Sequence, residues 1–268
     1  MYEVLRDCLR RNEPVVLATV VDTAANTTGL GAKLLVRRGG TSIGSLGHPG
    51  LDGVVGRDAL GNLASGQISL RHYGPEGEIG QDAVTVFVES FSPPPQMIIL
   101  GAVDFSAALA SLAKMLGYRV VVCDARAVFA TAQRFPDADE VVVDWPDRYL
   151  SRVAAELGAR DAVCVLTHDT KFDVPAIVTA LTTEVGYIGA MGSRQTTERR
   201  NVRLREAGVT GDQLARVRAP IGLHIGARTP EETAVSICAE IISCQTGADV
   251  VIPLSEGSGP IHHHGRAS

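Results

Sequence analysis

The most polar stretch of the chain follows an apolar run in its second half. Residues 165–173 read VLTHDTKFD, so Thr167, His168 and Asp169 come directly after the apolar residues. A histidine beside carboxylates can transfer protons or bind a metal ion. Asp169 or Asp173 can equally accept backbone N–H groups as the cap of a following helix. We therefore treat Thr167, His168 and Asp169 as candidate ligand contacts and keep the capping alternative open.

A second candidate lies in Gly192, Ser193 and Arg194, between a predicted strand and a predicted helix. A helix start presents backbone N–H groups, and here it would add a hydroxyl and a guanidinium, which together suit an anion. The alternative is that Ser193 only caps the helix.

A third candidate is the turn at Gly101. The run MIILG ends there, helical spacing follows over 104–116, and a second apolar run ends at Asp124. This is the opening of a dinucleotide-binding fold, with an acid about 20 residues beyond the first glycine. The fingerprint needs a second glycine where Val103 stands, and Asp104, an excellent helix cap, is a poor neighbour for phosphate. We therefore expect the fold to be kept and normal NAD(P) binding to be disfavoured.

Three weaker candidates complete the set. Asp124 can accept ribose hydroxyls and Arg126 can contact phosphate; the alternative is a solvated strand end with Arg126 paired to a nearby acid. The glycine-rich loop 220–228 suggests close approach either to a ligand or to the other domain. The segment 44–53 contains His48, which we interpret as structural.

Alternating strands and helices position these residues and predict a Rossmann-like parallel sheet over 97–255. Ligands of such sheets bind beyond the carboxyl ends of the strands, where the candidates fall. A final helix begins at a capping box in 229–232 and runs toward Ser243. The other predicted elements are strands at 97–101, 119–123, 140–143, 161–166 and 185–189, and helices at 104–116, 147–157, 174–182 and 194–207.

Consecutive prolines mark a linker at 92–96. Before it, mixed patterns over 1–91 predict a small α+β domain, and 256–268, with its histidine run at 262–264, is expected to be a flexible tail. The predicted elements of the first domain are helices at 2–12 and 51–65, strands at 14–22, 67–73 and 83–91, and a hairpin at 33–47 that turns at Gly39-Gly40.

Composition narrows the classes of function. The net charge of −5, without clustered basic residues, gives no nucleic-acid footprint, and no apolar run suits a membrane span. The N-terminus lacks the apolar core of a signal peptide, so we expect a cytoplasmic protein. The five cysteines form no C-x-x-C pair and are interpreted as structural. No nucleophile elbow, Walker A loop or H-E-x-x-H motif supports hydrolase chemistry.

Taken together, these segments resemble the XdhC/CoxI family of molybdoenzyme maturation factors. The resemblance covers essentially the whole second domain, and more loosely the first through LATVV and GAKLLVRRGG. The matching stretches are IILGA, LGYRVVVCDAR with RFPDAD, VLTHDTKFD, YIGAMGSR and APIGLHIGARTPEETAVSICAEII.

The resemblance implies a cytoplasmic, homodimeric accessory protein rather than an enzyme. It implies handling of the molybdenum cofactor (molybdopterin), support of its sulfuration, and delivery to a xanthine dehydrogenase or CO dehydrogenase type client. The implied partners are the apo-molybdoenzyme and a cysteine desulfurase. A pterin with a phosphate becomes the expected ligand of the candidate residues Gly101, Asp124, Arg126, Thr167, His168, Asp169, Gly192, Ser193 and Arg194.

The chain departs from the family where ligand contacts are expected. G-A-G-H at the nucleotide turn reads Gly101-Ala102-Val103-Asp104 here, and the G-G-G-C-x-E-like stretch reads Gly47-His48-Pro49-Gly50-Leu51-Asp52. A second cysteine motif, C-G-G, appears as Gln81-Asp82-Ala83. Two alternatives therefore stay open: an NAD(P)-dependent oxidoreductase, drawing on the sheet and Asp124, and a non-catalytic dimeric regulator or scaffold.

Overall fold

The computed structural model describes residues 1–23, 29–78, 83–167, 169–248 and 250–258. Their strands form two sheets, one antiparallel with five strands and one parallel with six. The prediction of a small α+β unit ahead of a Rossmann-like parallel sheet is confirmed.

The antiparallel sheet has the strand order β3-β2-β1-β5-β4, and a helix packs on one of its faces. Along its central strands, Val84, Val86 and Val88 are buried while the residues between them are half-buried, as the alternating pattern predicts. The elements are α1 (Tyr2–Arg10), β1 (Val15–Thr23), β2 (Lys33–Arg37), β3 (Ser42–Ser45), α2 (Pro49–Ser65), β4 (Ser69–Tyr73) and β5 (Val84–Phe91).

The parallel sheet has the order β8-β7-β6-β9-β10-β11. This is the doubly wound order of a Rossmann fold, and the strand order reverses between β6 and β9. The elements are β6 (Gln96–Leu100), α3 (Asp104–Met115), β7 (Arg119–Asp124), β8 (Glu140–Val143), α4 (Pro146–Val153), β9 (Ala162–Val165), α5 (Thr170–Leu181), β10 (Tyr187–Ala190), α6 (Arg194–Glu206), α7 (Gly211–Ala215), β11 (Val217–Arg218) and α8 (Pro230–Thr246).

Helices cover both faces of this sheet. The helices α3 and α8 pack against one face, with Met97 and Ile99 among the buried side chains. The helices α4, α5 and α6 pack against the other, on Ile98 and Leu100. Because successive side chains of a strand point to opposite faces, the unbroken apolar runs of the sequence are explained by burial on both sides.

The structure corrects several predicted boundaries. Helix α5 begins at Thr170 rather than 174, because Asp169 caps it and Pro175 lies within it instead of marking its start. Helix α4 ends at Val153 and continues as a short 3-10 turn to Glu156. The elements α7 and β11 were not predicted. They have five and two residues, which is too short for a periodic pattern.

The proline linker joins the two sheets at the amino ends of the parallel strands. Gln96 already belongs to β6, and its N–H donates to Asp161 Oδ1 at 2.6 Å. Arg160 Nη1 donates to the carbonyl of Pro93 at 3.2 Å. Clefts of 430 and 950 Å³ open along this junction, at the opposite end of the sheet from the candidate residues. Among the helices of the described ranges, none has the length and apolar character that a bilayer crossing requires.

Candidate ligand site at the carboxyl edge of the parallel sheet

Gly101 lies where β6 and β9 end side by side. Its φ is +113°, and a Cβ there would lie 2.8 Å from the backbone nitrogen of Thr167. The N–H groups of Leu166 and Thr167 both donate to the carbonyl of Leu100, at 2.8 and 3.2 Å. Close approach of two strand ends therefore explains this glycine without a ligand.

The Asp124 carboxylate is occupied by donors of the chain itself. Oδ2 accepts from the Ala102 N–H at 2.8 Å and from Arg126 Nη2 at 2.7 Å. Oδ1 accepts from the N–H and from Nε of Arg126, both at 2.9 Å. Burial alone would raise the pKa of Asp124, but the hydrogen bonds from Arg126 and Ala102 outweigh it and lower the pKa. Arg126 is thus paired as the alternative interpretation expected, but the strand end is buried rather than solvated, with Asp124 only 4% exposed.

The glycine turn is closed from outside by Arg134. Its Nη1 donates to the carbonyl of Ala102 at 3.1 Å, and its Nη2 pairs with Asp104 at 3.3 Å. The prediction that Asp104 caps the helix is wrong: Val103 holds the cap position, and Asp104 is the first helical residue. The Ala102 N–H already donates to Asp124. This turn therefore has fewer free backbone N–H groups for a pyrophosphate than a turn with the full glycine fingerprint.

At the exit of β9, the polar residues mainly organise the start of α5. Thr167 is buried, and its Oγ1 accepts from the Asp169 N–H at 3.0 Å. Asp169 caps the helix by accepting from the Lys171 N–H at 3.1 Å, which confirms the capping alternative for this residue. Its carboxylate remains half-exposed beside Lys171. His168 lies outside the described residues.

At the exit of β10, Gly192 and Ser193 form the turn into α6. Gly192 has φ +148°, and Ser193 Oγ caps the helix by accepting from the Thr196 N–H at 3.1 Å. Arg194 is the exposed first residue of the helix. The capping alternative is confirmed, and the turn still directs the N–H groups of the first helical turn outward.

A buried guanidinium lies beneath this turn. Arg200 is 1% exposed, donates from Nη2 to the Met191 carbonyl at 2.6 Å, and pairs with Asp173 at 3.1 Å. Within the described ranges, its Nε and Nη1 have no hydrogen-bond partner, nor does Oγ1 of Thr197. Sequence reasoning missed Arg200, although its spacing from Thr197 and Leu204 places it on the buried stripe of α6.

Two other candidate segments have structural roles. Gly222 donates its N–H to Glu240 at 2.8 Å, and a Cβ there would lie 2.5 Å from Ser236 Oγ. At Gly222 the glycine-rich loop therefore packs on α8 of its own domain. His48 caps α2 by accepting from the Gly50 N–H at 3.2 Å, which confirms its structural interpretation.

The first domain offers no thiol at the expected place. Gly50 stands where the family motif has its cysteine, and a Cβ at this position would overlap the carbonyl oxygen of Glu76. Of the second cysteine motif, Gln81 and Asp82 lie outside the described residues. In the described part of the chain, no three His, Cys, Asp or Glu side chains group closely enough to hold a metal ion.

The cysteines of the chain are free and mostly buried. Burial raises the pKa of the Cys123 thiol to about 12 and that of Cys238 to about 11. Neutral buried thiols behave as small apolar side chains, in agreement with their interpretation as structural.

Comparison with protein families gives two matches. Residues 97–241 match the model of the XdhC Rossmann domain, and residues 8–74 match that of the XdhC and CoxI family. A crystal structure described as a xanthine dehydrogenase from Bacillus halodurans superposes with a TM-score of 0.53 at 21% identity, covering 92% of this chain and 96% of that one. This likeness shows a shared fold.

Three curated proteins are also similar to this chain in sequence. The chain is 28% identical to the Escherichia coli K12 protein YqeB, described as uncharacterized, over 89% of this chain and 45% of that protein. It is 34% identical to a Bacillus subtilis 168 protein described as a probable subunit of xanthine dehydrogenase, over 62% and 48%. It is 31% identical to the molybdenum cofactor insertion chaperone PaoD of Escherichia coli K12, over 36% and 30%. The chain thus spans less than half the length of these relatives.

Proposed function

Because the chain belongs to the XdhC and CoxI family, we propose that it handles the molybdenum cofactor during maturation of a xanthine dehydrogenase or CO dehydrogenase type enzyme. One observation carries the proposal beyond family membership. The turn Gly192-Ser193 is held from below by the buried Arg200, two of whose nitrogens, Nε and Nη1, have no hydrogen-bond partner within the described ranges. A buried guanidinium beneath a helix start adds positive charge close to the place where an anion would bind.

The phosphate end of the cofactor fits this turn. The first N–H groups of α6, the Ser193 hydroxyl and the exposed Arg194 would contact the phosphate. Arg200 would act indirectly: it fixes the turn through the Met191 carbonyl and adds positive potential that Asp173 offsets in part. Gly101, Arg126, Thr167 and Asp169 would lie along the rest of the edge, and Asp124 would act only by holding Arg126.

The metal end of the cofactor does not fit a thiolate site in the described residues. Gly50 cannot be exchanged for cysteine without moving the backbone at Glu76. Molybdenum and sulfur are held most readily by soft thiolate ligands. We therefore restrict the proposal to recognition of the organic part, while the cofactor itself supplies the redox-active metal of the client enzyme.

We further propose a cytoplasmic homodimer whose partners are the apo-molybdoenzyme client and a cysteine desulfurase. The client rests on the family and on the names of the relatives, PaoD above all, whereas the cysteine desulfurase rests on the family resemblance alone. Adjacency of the gene to molybdenum hydroxylase genes would support the same client class.

The test is binding by the purified chain. We expect it to retain molybdenum cofactor released anaerobically from a denatured molybdoenzyme, and to give little heat with NADH or NADPH in calorimetry. Tight nicotinamide binding without cofactor retention would overturn the proposal.

Two variants locate the anion. Ser193→Glu should abolish binding of the phosphate end, because it places a negative charge at the helix start. Ser193→Asp should do the same while preserving the cap, so loss of folding would not explain its effect. Unchanged affinity in the Asp variant would remove this turn from the site.

The nicotinamide alternative is disfavoured because the Ala102 N–H donates to the Asp124 carboxylate. Neither group is then free to bind the phosphate or the ribose of a dinucleotide. The scaffold alternative is supported by Gly50, because the surroundings of this residue leave no room for the cysteine side chain of the family motif. It predicts that the chain binds neither the cofactor nor nicotinamides and still associates with the client.

A further inference from the structure

Trp145, the single tryptophan of the chain, lies at the same edge of the sheet with part of its ring exposed. We call Trp145 and the Phe172 ring that it contacts the aromatic shelf. Trp145 follows β8 directly and holds the cap position of α4. The side chain stays 41% exposed although it packs on Phe172, with ring centroids 5.1 Å apart and planes tilted by 57°. Sequence reasoning missed it, although a lone tryptophan after a predicted strand of a parallel sheet is a usable signal.

Cations surround the shelf. Lys171 Nζ lies 6.0 Å from the centre of the Trp145 ring and 4.7 Å from that of Phe172. The guanidinium of Arg148 lies 5.9 Å from the Trp145 ring. The nearby carboxylates are engaged: Asp144 pairs with Arg152, and Asp169 caps α5 beside Lys171.

A second aromatic–cation pair lies beyond the exit of β7. Arg126 lies over the ring of Phe129 at 4.6 Å, and its charge interacts with that of Asp169. The exits of β7 and β8 thus each carry an aromatic ring with a positive charge close to it. The contacts of Trp145 with Phe172, Lys171 and Arg148 cover only part of the indole, since 41% of the residue stays exposed.

We propose that Trp145 stacks a planar fused heteroaromatic ring that carries an anionic group, with Lys171 and Arg148 beside it. Tryptophan offers the largest π-face for such a ring. The two cations add positive potential for the anionic group, whose direct contacts are those proposed at the Ser193 turn. A phosphorylated pterin has this chemistry, so the inference rests on the proposed function and names a residue that would hold the organic part of the cofactor.

The experiment uses the intrinsic fluorescence of the single tryptophan together with calorimetry. The probes are hydroxymethylpterin, its phosphate ester, AMP and inorganic phosphate. We expect the phosphorylated pterin to quench Trp145 and to bind most tightly. Trp145→Ala should weaken its binding roughly tenfold, as expected for loss of one stacked ring, and leave inorganic phosphate unaffected.

Two variants keep the test independent of folding. Trp145→Phe retains the packing on Phe172 and should restore most of the affinity. Lys171→Met should weaken binding of the phosphate ester more than that of hydroxymethylpterin. Phe129→Ala, beyond the exit of β7, is the matched control and should change the affinity less than Trp145→Ala.

The outcomes separate the two proposals. If Trp145→Ala binds the pterin as tightly as the wild type, and the wild type still retains the cofactor, only the proposal that Trp145 stacks the ring is overturned. A wild type that retains no cofactor and binds no pterin overturns both. Binding of AMP in preference to the phosphorylated pterin also overturns the shelf as a pterin site.

Discussion

The exits of β7 and β10 lie on one edge of the same sheet and differ in how their polar groups are satisfied. At β7, Asp124 accepts four hydrogen bonds from Ala102 and Arg126. Beneath the exit of β10, Arg200 is buried, and no described residue accepts from two of its nitrogens, Nε and Nη1. The residue that most resembles a nucleotide ligand has its hydrogen-bonding capacity used within the fold. The exit with unmatched donors among the described residues is the one at which we propose that an anion binds.

The largest expected effect is on the Arg200–Asp173 pair. Arg200→Met should lower the free energy of unfolding by about 3–5 kcal/mol, because it removes the cation that pairs with a buried carboxylate. Arg126→Met is the matched change at β7 and should cost about 1 kcal/mol, since Arg126 is half-exposed and Asp124 keeps the Ala102 N–H. Urea unfolding measures both. Equal losses would contradict the contrast between the two exits.

Gly101→Ala is expected to destabilise the protein by about 3 kcal/mol. The added Cβ meets the Thr167 backbone at 2.8 Å and also strains a positive φ. Gly117→Ala is the control, because Gly117 also has a positive φ but has nothing within 4 Å of the added Cβ. It should cost about 1 kcal/mol in the same unfolding measurement. If both variants lost the same stability, close contact between β6 and β9 would not be the reason for Gly101.

The smallest effect concerns pH. Because hydrogen bonds lower the pKa of Asp124 in the folded state, its contribution is fully present above the unfolded pKa of about 4. It is lost as the pH falls through the lower folded pKa. The wild type should therefore lose more stability between pH 7 and pH 3 than Asp124→Asn does. Parallel curves for the two proteins would show that Asp124 does not titrate with folding.

Much of the fold was predictable, because periodicity is a local property. Alternation in Val84 to Val88 and the capping box at Thr229 each depend on residues a few positions apart, and the structure confirms both. The start of α5 was predicted wrongly, since Asp169 and Asp173 are equally good caps by residue type. Only the packing of Asp173 against Arg200 distinguishes them.

The candidate edge was predictable, but its chemistry was not. Parallel strands bring their carboxyl ends together, so the exits after Gly101, Asp124 and the two later strands were expected at one edge. Which polar groups satisfy one another depends on partners far apart in the chain. Arg134 reaches Ala102 across 32 residues, and such pairs leave no local pattern.

Apolar periodicity and local motifs were therefore enough to predict the two-sheet architecture and the edge at which ligands are expected, and the resemblance of whole segments identified the family. Contacts between distant segments were needed to establish that Asp124 is occupied, that Arg200 is buried beneath Ser193, and that Trp145 remains half-exposed. The physical reason is that burial and hydrogen-bond partners are set by residues that are far apart in the chain and meet in space.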